Sequence, residues 1–448
     1  MEGCEEAGGK KRVQGDPRGP GGPPHMVMRI GKRARGGGNQ PPRRLATCPT
    51  LRLATCPTLM AVVLVVAAWG APGYRLVLPK GFPPPTIPAD NPLTAEKVRL
   101  GRYLFYDKRM SVNGTSSCAS CHRQELAFTD GRAQAVGATG QTHPRGALSL
   151  VNVAYNGAFN WSNPSVRTLE EQALKPMFGS DPVELGVVRK DLLRLIRSAA
   201  IYRVLFRRAF PGEANPYRLG NVTKALASFE RTILSGGSAY DRFHFGDADA
   251  ITEAAKRGEI LYFLDYGGPS CFRCHGGFNF SDAVDYVGKA RGAAEFHNTG
   301  LYNLAGPFSY PMPNVGLYEH TKNAGDVGKF KAPTLRNIAL TAPYMHDGSI
   351  ATLGEVVDHY AAGGRAIERG PWAGAGRENA AKDALVHGFL MTAQNRADLV
   401  AFLESLTDEG VIRDPRLGDP WAQGKGRSGS TGTRADQGVR PTGSSGRR

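Results

Sequence analysis

Two pentapeptides constrain this chain more than anything else in it: Cys118-Ala119-Ser120-Cys121-His122 and Cys271-Phe272-Arg273-Cys274-His275. In C-x-x-C-H, cysteines at i and i+3 project from one helical face and can form thioethers with the two vinyl groups of one haem. The histidine that follows lies under the iron and supplies its proximal ligand. One such motif could arise by chance or form half of a zinc site. Two of them, using every cysteine after residue 60, leave little room for either. The sequence therefore predicts two covalently attached haems, with His122 and His275 as proximal ligands. What fills the sixth position of each iron then decides function. A filled site favours electron transfer, and an open one permits peroxide or oxygen chemistry.

The remaining cysteines, Cys4, Cys48 and Cys56, all precede an apolar run from Leu59 to Trp69 that follows basic residues and leads into small residues and Pro72. That layout predicts a secretory signal cleaved near Gly70 or Ala71, with an uncleaved anchor as the alternative. Eleven apolar residues are too few to span a bilayer, so no stable membrane span is expected. The unit RLATCPTL occurs twice in tandem at 44–51 and 52–59, and Met26, Met28 and Met60 are alternative starts. Residues 1–71 are thus expected to lie outside the fold.

The net charge of +16 raises the question of nucleic acid, but its distribution answers it. Residues 1–80 hold 13 Lys/Arg against 4 Asp/Glu, and residues 411–448 hold 8 against 3, so only +2 is left for the body. No nucleic-acid groove is expected. The Gly- and Arg-rich segment 413–448 reads as a disordered basic tail.

Between these ends the chain repeats itself loosely. Gly101, Leu104 and Phe105 precede CASCH, and Gly258, Leu261 and Tyr262, with the same mutual spacing, precede CFRCH; such spacing puts each set on one helical face. A glycine on that face permits close approach of another helix. Each motif is also followed by a related phrase, AFTDG at 127–131 and NFSDA at 279–283. Further helical stretches run over 189–210, 221–234 and 395–406, and alternating strand patterns are scarce. The expected fold is mostly α, two cytochrome c-like haem domains packed together, over residues 72–236 and 237–412.

Four phrases carry a resemblance: CASCHRQELAFTDGR, LEEQALKPMFGSDPVELG, CFRCHGGFNFSD and KAPTLRNIALTAPYMHDGSIATLGEVVDHYAAGG. From about residue 74 to 410 the chain resembles the bacterial di-haem cytochrome c peroxidase and MauG superfamily. Within it, the chain looks most like the methanobactin-associated MbnH-type enzymes, a likeness that FHNTGLYNL around His297 strengthens. The resemblance implies an open, peroxide-binding haem on His122 and a six-coordinate haem on His275. It places Gln172 and Glu184 above the first haem, in a loop two residues longer than in conventional peroxidases, and Trp161 between the two haems. A carboxylate in an apolar pocket suits peroxide cleavage, because it can take a proton from one oxygen and return it to the other.

Conventional members carry a methionine 14 residues after the histidine of the Y-[FM]-H-[DS]-G phrase. Here that count from His346 reaches Tyr360. An anionic oxygen ligand stabilises ferric and higher states, which a thioether does not. His359 is the competing ligand, and His346 is expected to support the haem edge. The resemblance also implies a calcium ion between the domains, with Thr341 and Pro343 as candidate ligands. The usual asparagine falls on Gly146, leaving a backbone oxygen or Asn152 as substitutes. His143 is read as a solvent-facing loop residue, and His244, His297, His320 and His387 are assigned no role.

The resemblance thus implies a periplasmic oxidase driven by hydrogen peroxide. It would raise both irons to high oxidation states and oxidise a protein partner, such as a tryptophan of a small copper-binding protein. A peroxidase fed by a small electron-donor cytochrome is the second reading. A non-catalytic electron carrier with both irons six-coordinate is the third.

Overall fold

The computed structural model describes residues 74–289, 294–306 and 308–422. The apolar run 59–69, the tandem repeat, Cys4, Cys48, Cys56 and the tail beyond 422 lie outside them. The fold is mostly α. Its helices are α1 (Ala95–Phe105), α2 (Cys118–Cys121), α3 (Leu169–Phe178), α4 (Arg189–Ser198), α5 (Ala200–Ala209), α6 (Leu219–Glu230), α7 (Ala239–His244), α8 (Glu253–Tyr262), α9 (Tyr318–Thr321), α10 (Leu353–Ala361), α11 (Ala393–Ser405) and α12 (Glu409–Arg413). Among the described residues the single sheet is a two-stranded antiparallel ribbon, β1 (Ala366–Ile367) with β2 (Gly374–Ala375). Among the described residues no helix is long and apolar enough to cross a membrane.

The internal repeat is a packing device. Helix α1 crosses α6 at Gly101, where an added Cβ would lie 1.9 Å from the Ala225 carbonyl oxygen and 2.9 Å from the Phe229 Cβ. Helix α8 crosses α11 in the same way. A Cβ on Gly258 would lie 1.9 Å from the Asp398 carbonyl oxygen and 2.8 Å from the Phe402 Cβ. Each glycine lets two helix backbones touch, so Leu100, Leu104 and Phe105 in one pair, and Tyr262 with Phe402 in the other, fill the space beside the contact. Two apolar cores result. The first is built from residues between Leu100 and Ile233 together with Val411 and Leu417, and the second from residues between Tyr262 and Leu406.

Polar pins hold the link between the cores. Asp408 Oδ2 accepts from the Gly236 and Gly237 backbone N–H groups at 3.0 and 2.9 Å. Arg336 pairs with Asp241, both buried. The Pro-rich lead also joins the modules, because Phe82 packs edge-on against Tyr155 and Phe278.

Two expectations need correction. The stretch 189–210 is two helices, since Ala199 adopts ψ 124° and ends α4. The segment 413–422 is ordered and returns to the first module. Leu417 is buried, Tyr106 Oη donates to the Leu417 carbonyl at 2.8 Å, and Trp421 Nε1 donates to the Tyr103 carbonyl at 3.1 Å. Arg102 closes the contact by donating to the Pro415 and Gly418 carbonyls, each at 2.6 Å. A basic composition hid an apolar and hydrogen-bonded anchor.

Candidate functional site

Each C-x-x-C-H motif opens onto a cleft. The first, with an empty volume of about 1630 Å³ continuous with solvent, is lined by Cys118, Cys121 and His122 together with Trp161, Gln172 and Glu184. The second, of about 1380 Å³, is lined by Cys271, Cys274 and His275 together with Trp161, His346 and Tyr360. The residues assigned from sequence are thus gathered into two places, with Trp161 in the wall of both.

The two histidines are oriented by one device. In each module a phenylalanine of the repeated phrase takes a positive φ, Phe128 at 58° and Phe280 at 49°, a conformation that L-residues adopt only when surroundings demand it. This turns its carbonyl onto the histidine. His122 Nδ1–H donates to the Phe128 oxygen at 2.9 Å. His275 Nδ1–H donates to the Pro333 oxygen at 3.1 Å and, more weakly, to the Phe280 oxygen at 3.3 Å. A carbonyl partner fixes the proton on Nδ1 and leaves Nε2 with a lone pair, the form a metal needs. Burial lowers both imidazole pKa values, which keeps the rings neutral. The four cysteines of the motifs are free of disulfides. Burial pushes Cys121 up to about 11 and Cys271 up to about 12. Both clefts therefore fit a covalently held haem.

In the first cleft Gln172 projects from α3, which Thr168 caps through the Glu171 N–H. Its Oε1 is buried and has no hydrogen-bond partner. Glu184 sits on the longer loop, anchored where Ala138 N–H donates to the Glu184 carbonyl at 2.6 Å and Val183 N–H donates to Gln141 Oε1 at 2.7 Å. Burial raises the Glu184 carboxyl pKa. The cleft also holds residues that sequence reasoning did not find. Arg145 is buried and donates to Asn314, Ser162 and the Glu319 carboxylate. Glu319 and His320, from the second module, line the first cleft. Glu230, on α6, is buried there and its carboxyl is pushed up to about 8. His143 lines the same cleft, half-buried, and its Nδ1 accepts from the Arg145 N–H at 3.1 Å, which corrects the solvent-facing reading.

In the second cleft helix geometry sets Tyr360 and His359 in different surroundings. Consecutive residues on α10 point about 100° apart, and Tyr360 lines the cleft while His359 does not. Both ring nitrogens of His359 are buried without a partner, and burial lowers its pKa to about 4. Burial likewise raises the Tyr360 phenol, so an anionic form there requires a cation beside it. Met345 is the single methionine lining this cleft. His346 stacks on Phe330 at 3.7 Å between ring centroids, in keeping with a supporting position. His297, given no role from sequence, donates from both ring nitrogens, at 2.6 Å to Asp383 and 2.7 Å to Asp282, and is held as an imidazolium with its pKa raised to about 11.

Trp161 is pinned between the modules. Its Nε1–H donates to the Gly146 carbonyl at 2.9 Å, and the Gly146 N–H donates to the His346 carbonyl at 3.0 Å. Gly146, Thr341 and Pro343 line a third, smaller cleft beside Asp130, whose Oδ2 is buried without a partner. Asn152 is not in its wall. Its amide donates to the Ser235 carbonyl and Asn279 Oδ1, and its Oδ1 accepts from the Ser235 N–H. That corrects its candidacy as a calcium ligand, because every polar atom of the side chain is already used.

Comparison with known proteins agrees with this geometry. Residues 95–249 match the di-haem cytochrome c peroxidase family. The chain is 36% identical over 333 residues to the methylamine utilization protein MauG of Methylorubrum extorquens, covering 74% of this chain and 84% of that one. It is 34% identical over 370 residues to cytochrome-c peroxidase IdrP1 of Pseudomonas sp. strain SCT, covering 79% and 92%. Among solved structures, a MauG-like protein associated with microbial copper homeostasis is similar at 48% identity and a TM-score of 0.75, covering 78% of this chain and 99% of that one.

Proposed function

Because the chain belongs to the di-haem cytochrome c peroxidase and MauG family, an enzyme family with two haems c, we propose that it is a periplasmic oxidase that uses hydrogen peroxide to oxidise a tryptophan of a partner protein. The observation that carries this reading is Tyr360 in the wall of the second cleft. Bound in the clefts, the haems supply the redox chemistry that reduces peroxide. In the first cleft Gln172 Oε1, an unpartnered acceptor, receives a peroxide O–H and orients the molecule. Glu184 takes a proton from one peroxide oxygen and returns it to the other as that oxygen departs as water, a task suited to a carboxyl whose pKa is raised. Trp161, shared by both walls, passes electrons between the clefts. In the second, the Tyr360 oxygen would hold the metal as an anionic ligand that opposes its reduction. The likeness to a protein of copper homeostasis supports a small copper-binding protein as the partner. The third cleft, with Asp130, Thr341 and Pro343, is the place for a calcium ion.

A second reading, a peroxidase fed by a small cytochrome, is favoured by Met345 in the second cleft and by the peroxidase relatives. A non-catalytic electron carrier leaves Gln172 and Glu184 without a purpose. The substitution Tyr360→Met separates the first two readings. It is expected to raise the reduction potential of the second haem and to make reaction with peroxide depend on prior reduction. An unchanged potential would remove Tyr360 as the ligand and turn attention to Met345.

A further inference from the structure

The FHNTGLYNL phrase contains a tyrosine for which the reading above has no use. Tyr302 is 5% exposed, and its hydroxyl donates to Asp347 Oδ2 at 2.7 Å. Asp347 follows His346, a wall residue of the second cleft. Its other oxygen accepts the Ser349 N–H at 3.0 Å. The Tyr302 ring lies 5.5 Å from Tyr310, centroid to centroid. Tyr310 lies 6.4 Å from Phe330 and 6.4 Å from His346, which stack on one another. Phe330 and His346 both line the second cleft. One intervening ring thus separates Tyr302 from the wall of that cleft.

We propose that Tyr302 is a redox-active tyrosine serving the second haem, with Asp347 as its proton acceptor. The assignment rests on the peroxide reading above. In the step, Tyr302 loses one electron through Tyr310 and the Phe330–His346 stack to the second cleft. Its phenolic O–H bond breaks, and an O–H bond forms on Asp347 Oδ2. A neutral phenoxyl radical and a neutral carboxylic acid remain. Hydrogen peroxide is the oxidant: each molecule takes up two electrons, one from Tyr302 and one from the haems, together with two protons from solvent, and becomes two waters. The step keeps an oxidising equivalent away from the peroxide cleft until a reductant arrives.

Other tyrosines show why this one is singled out. Oxidising a phenol is easiest when its proton can move to a base in the same event, because the cationic radical is avoided. Tyr310 donates to the Asn298 side-chain oxygen and Tyr262 to the His275 carbonyl, neither of which is a base. Tyr202 does meet a carboxylate, Asp107, at 2.6 Å. Arg109 already binds both Asp107 oxygens, however, so protonating that carboxylate would strand a guanidinium charge. Tyr202 also lines neither haem cleft. Tyr302 combines a path of rings with a carboxylate that pairs with no Arg or Lys among the described residues. Burial, aided by Asp347, pushes its phenol up to about 12, which keeps the proton in place until an electron leaves.

The test is EPR of the fully oxidised, haem-loaded protein frozen after stoichiometric hydrogen peroxide. The wild type is expected to show a tyrosyl radical signal that narrows when ring-deuterated tyrosine is incorporated. Tyr302→Phe, which keeps the ring and its packing, abolishes that signal. Asp347→Asn lowers it several-fold while leaving the ferric optical spectrum intact. Tyr202→Phe leaves it unchanged. If the haem signals respond to peroxide and no tyrosyl signal forms, or if it survives Tyr302→Phe, the assignment is overturned on its own. If the haem signals do not respond, the peroxide reading falls and takes this assignment with it.

Discussion

The two clefts share a frame and differ in what is set beside the histidine. Both have a glycine-mediated helix crossing, a C-x-x-C-H turn and a phenylalanine at positive φ whose carbonyl faces the histidine Nδ1. The first cleft then collects titratable and polar groups: Gln172, Glu184 and Glu230 from its own module, and Glu319 and His320 from the other. The second is lined largely by apolar side chains and by three phenols, of which Tyr262 and Tyr344 donate to the His275 and Ile338 carbonyls, and it carries His297 and Lys331. On the proposed function, one frame serves as a place where protons move and as a place where oxidation is held. A shared fold therefore says little about which cleft meets peroxide. The added side chains do.

The largest effect is expected from Glu184→Gln. It removes the proton carrier and should lower kcat/KM for peroxide by about 10²–10⁴-fold, with the second haem's spectrum unaltered. An unchanged rate would erase the functional contrast between the clefts. Glu230→Gln sharpens the contrast through pH. The Glu230 carboxyl titrates near 4.5 when exposed and near 8 in the fold, owing mainly to burial. Between those values the native state holds the extra proton, so stability falls as pH rises through this window and levels off above it. Thermal unfolding of the wild type should show that decline, and Glu230→Gln should flatten it. A parallel decline in the variant would mean that Glu230 is not the group responsible. The smallest effects test the shared frame. Gly101→Ala and Gly258→Ala each force a Cβ against a backbone carbonyl and should each cost at least about 1–3 kcal/mol. Comparable losses in urea denaturation confirm equivalent crossings, and a loss at one site alone breaks the equivalence.

Much of this was legible in residue order. The haem attachment points, both crossing glycines and the helices that contain them follow from spacing, because i, i+3 and i+4 positions share a helix face. The site residues Gln172, Glu184, Trp161 and Tyr360 came through likeness of phrases, and each lines the cleft expected of it. What stayed hidden depends on distant contacts. Glu319 approaches Arg145 across 174 positions of sequence, and no local pattern announces such a pair. The helix break at Ala199 carries neither glycine nor proline to mark it. Asn152 lies close in sequence to Gly146, yet its amide is used up in tying the module link to Asn279. The segment after Arg413 has a disordered composition but carries Leu417 and Trp421, and two well-placed apolar side chains with a few carbonyl contacts are enough to dock it.

On the proposed function, Tyr360 ligation of the second haem lets the fully oxidised enzyme react with peroxide unaided. Stoichiometric hydrogen peroxide added to the fully ferric protein, followed by optical and Mössbauer spectroscopy, tests it. The account predicts that the high-spin ferric signal of the first haem disappears and that both irons change state without any prior reduction. An inert ferric protein that reacts only after one haem has been reduced would contradict it and leave a conventional cytochrome c peroxidase in its place.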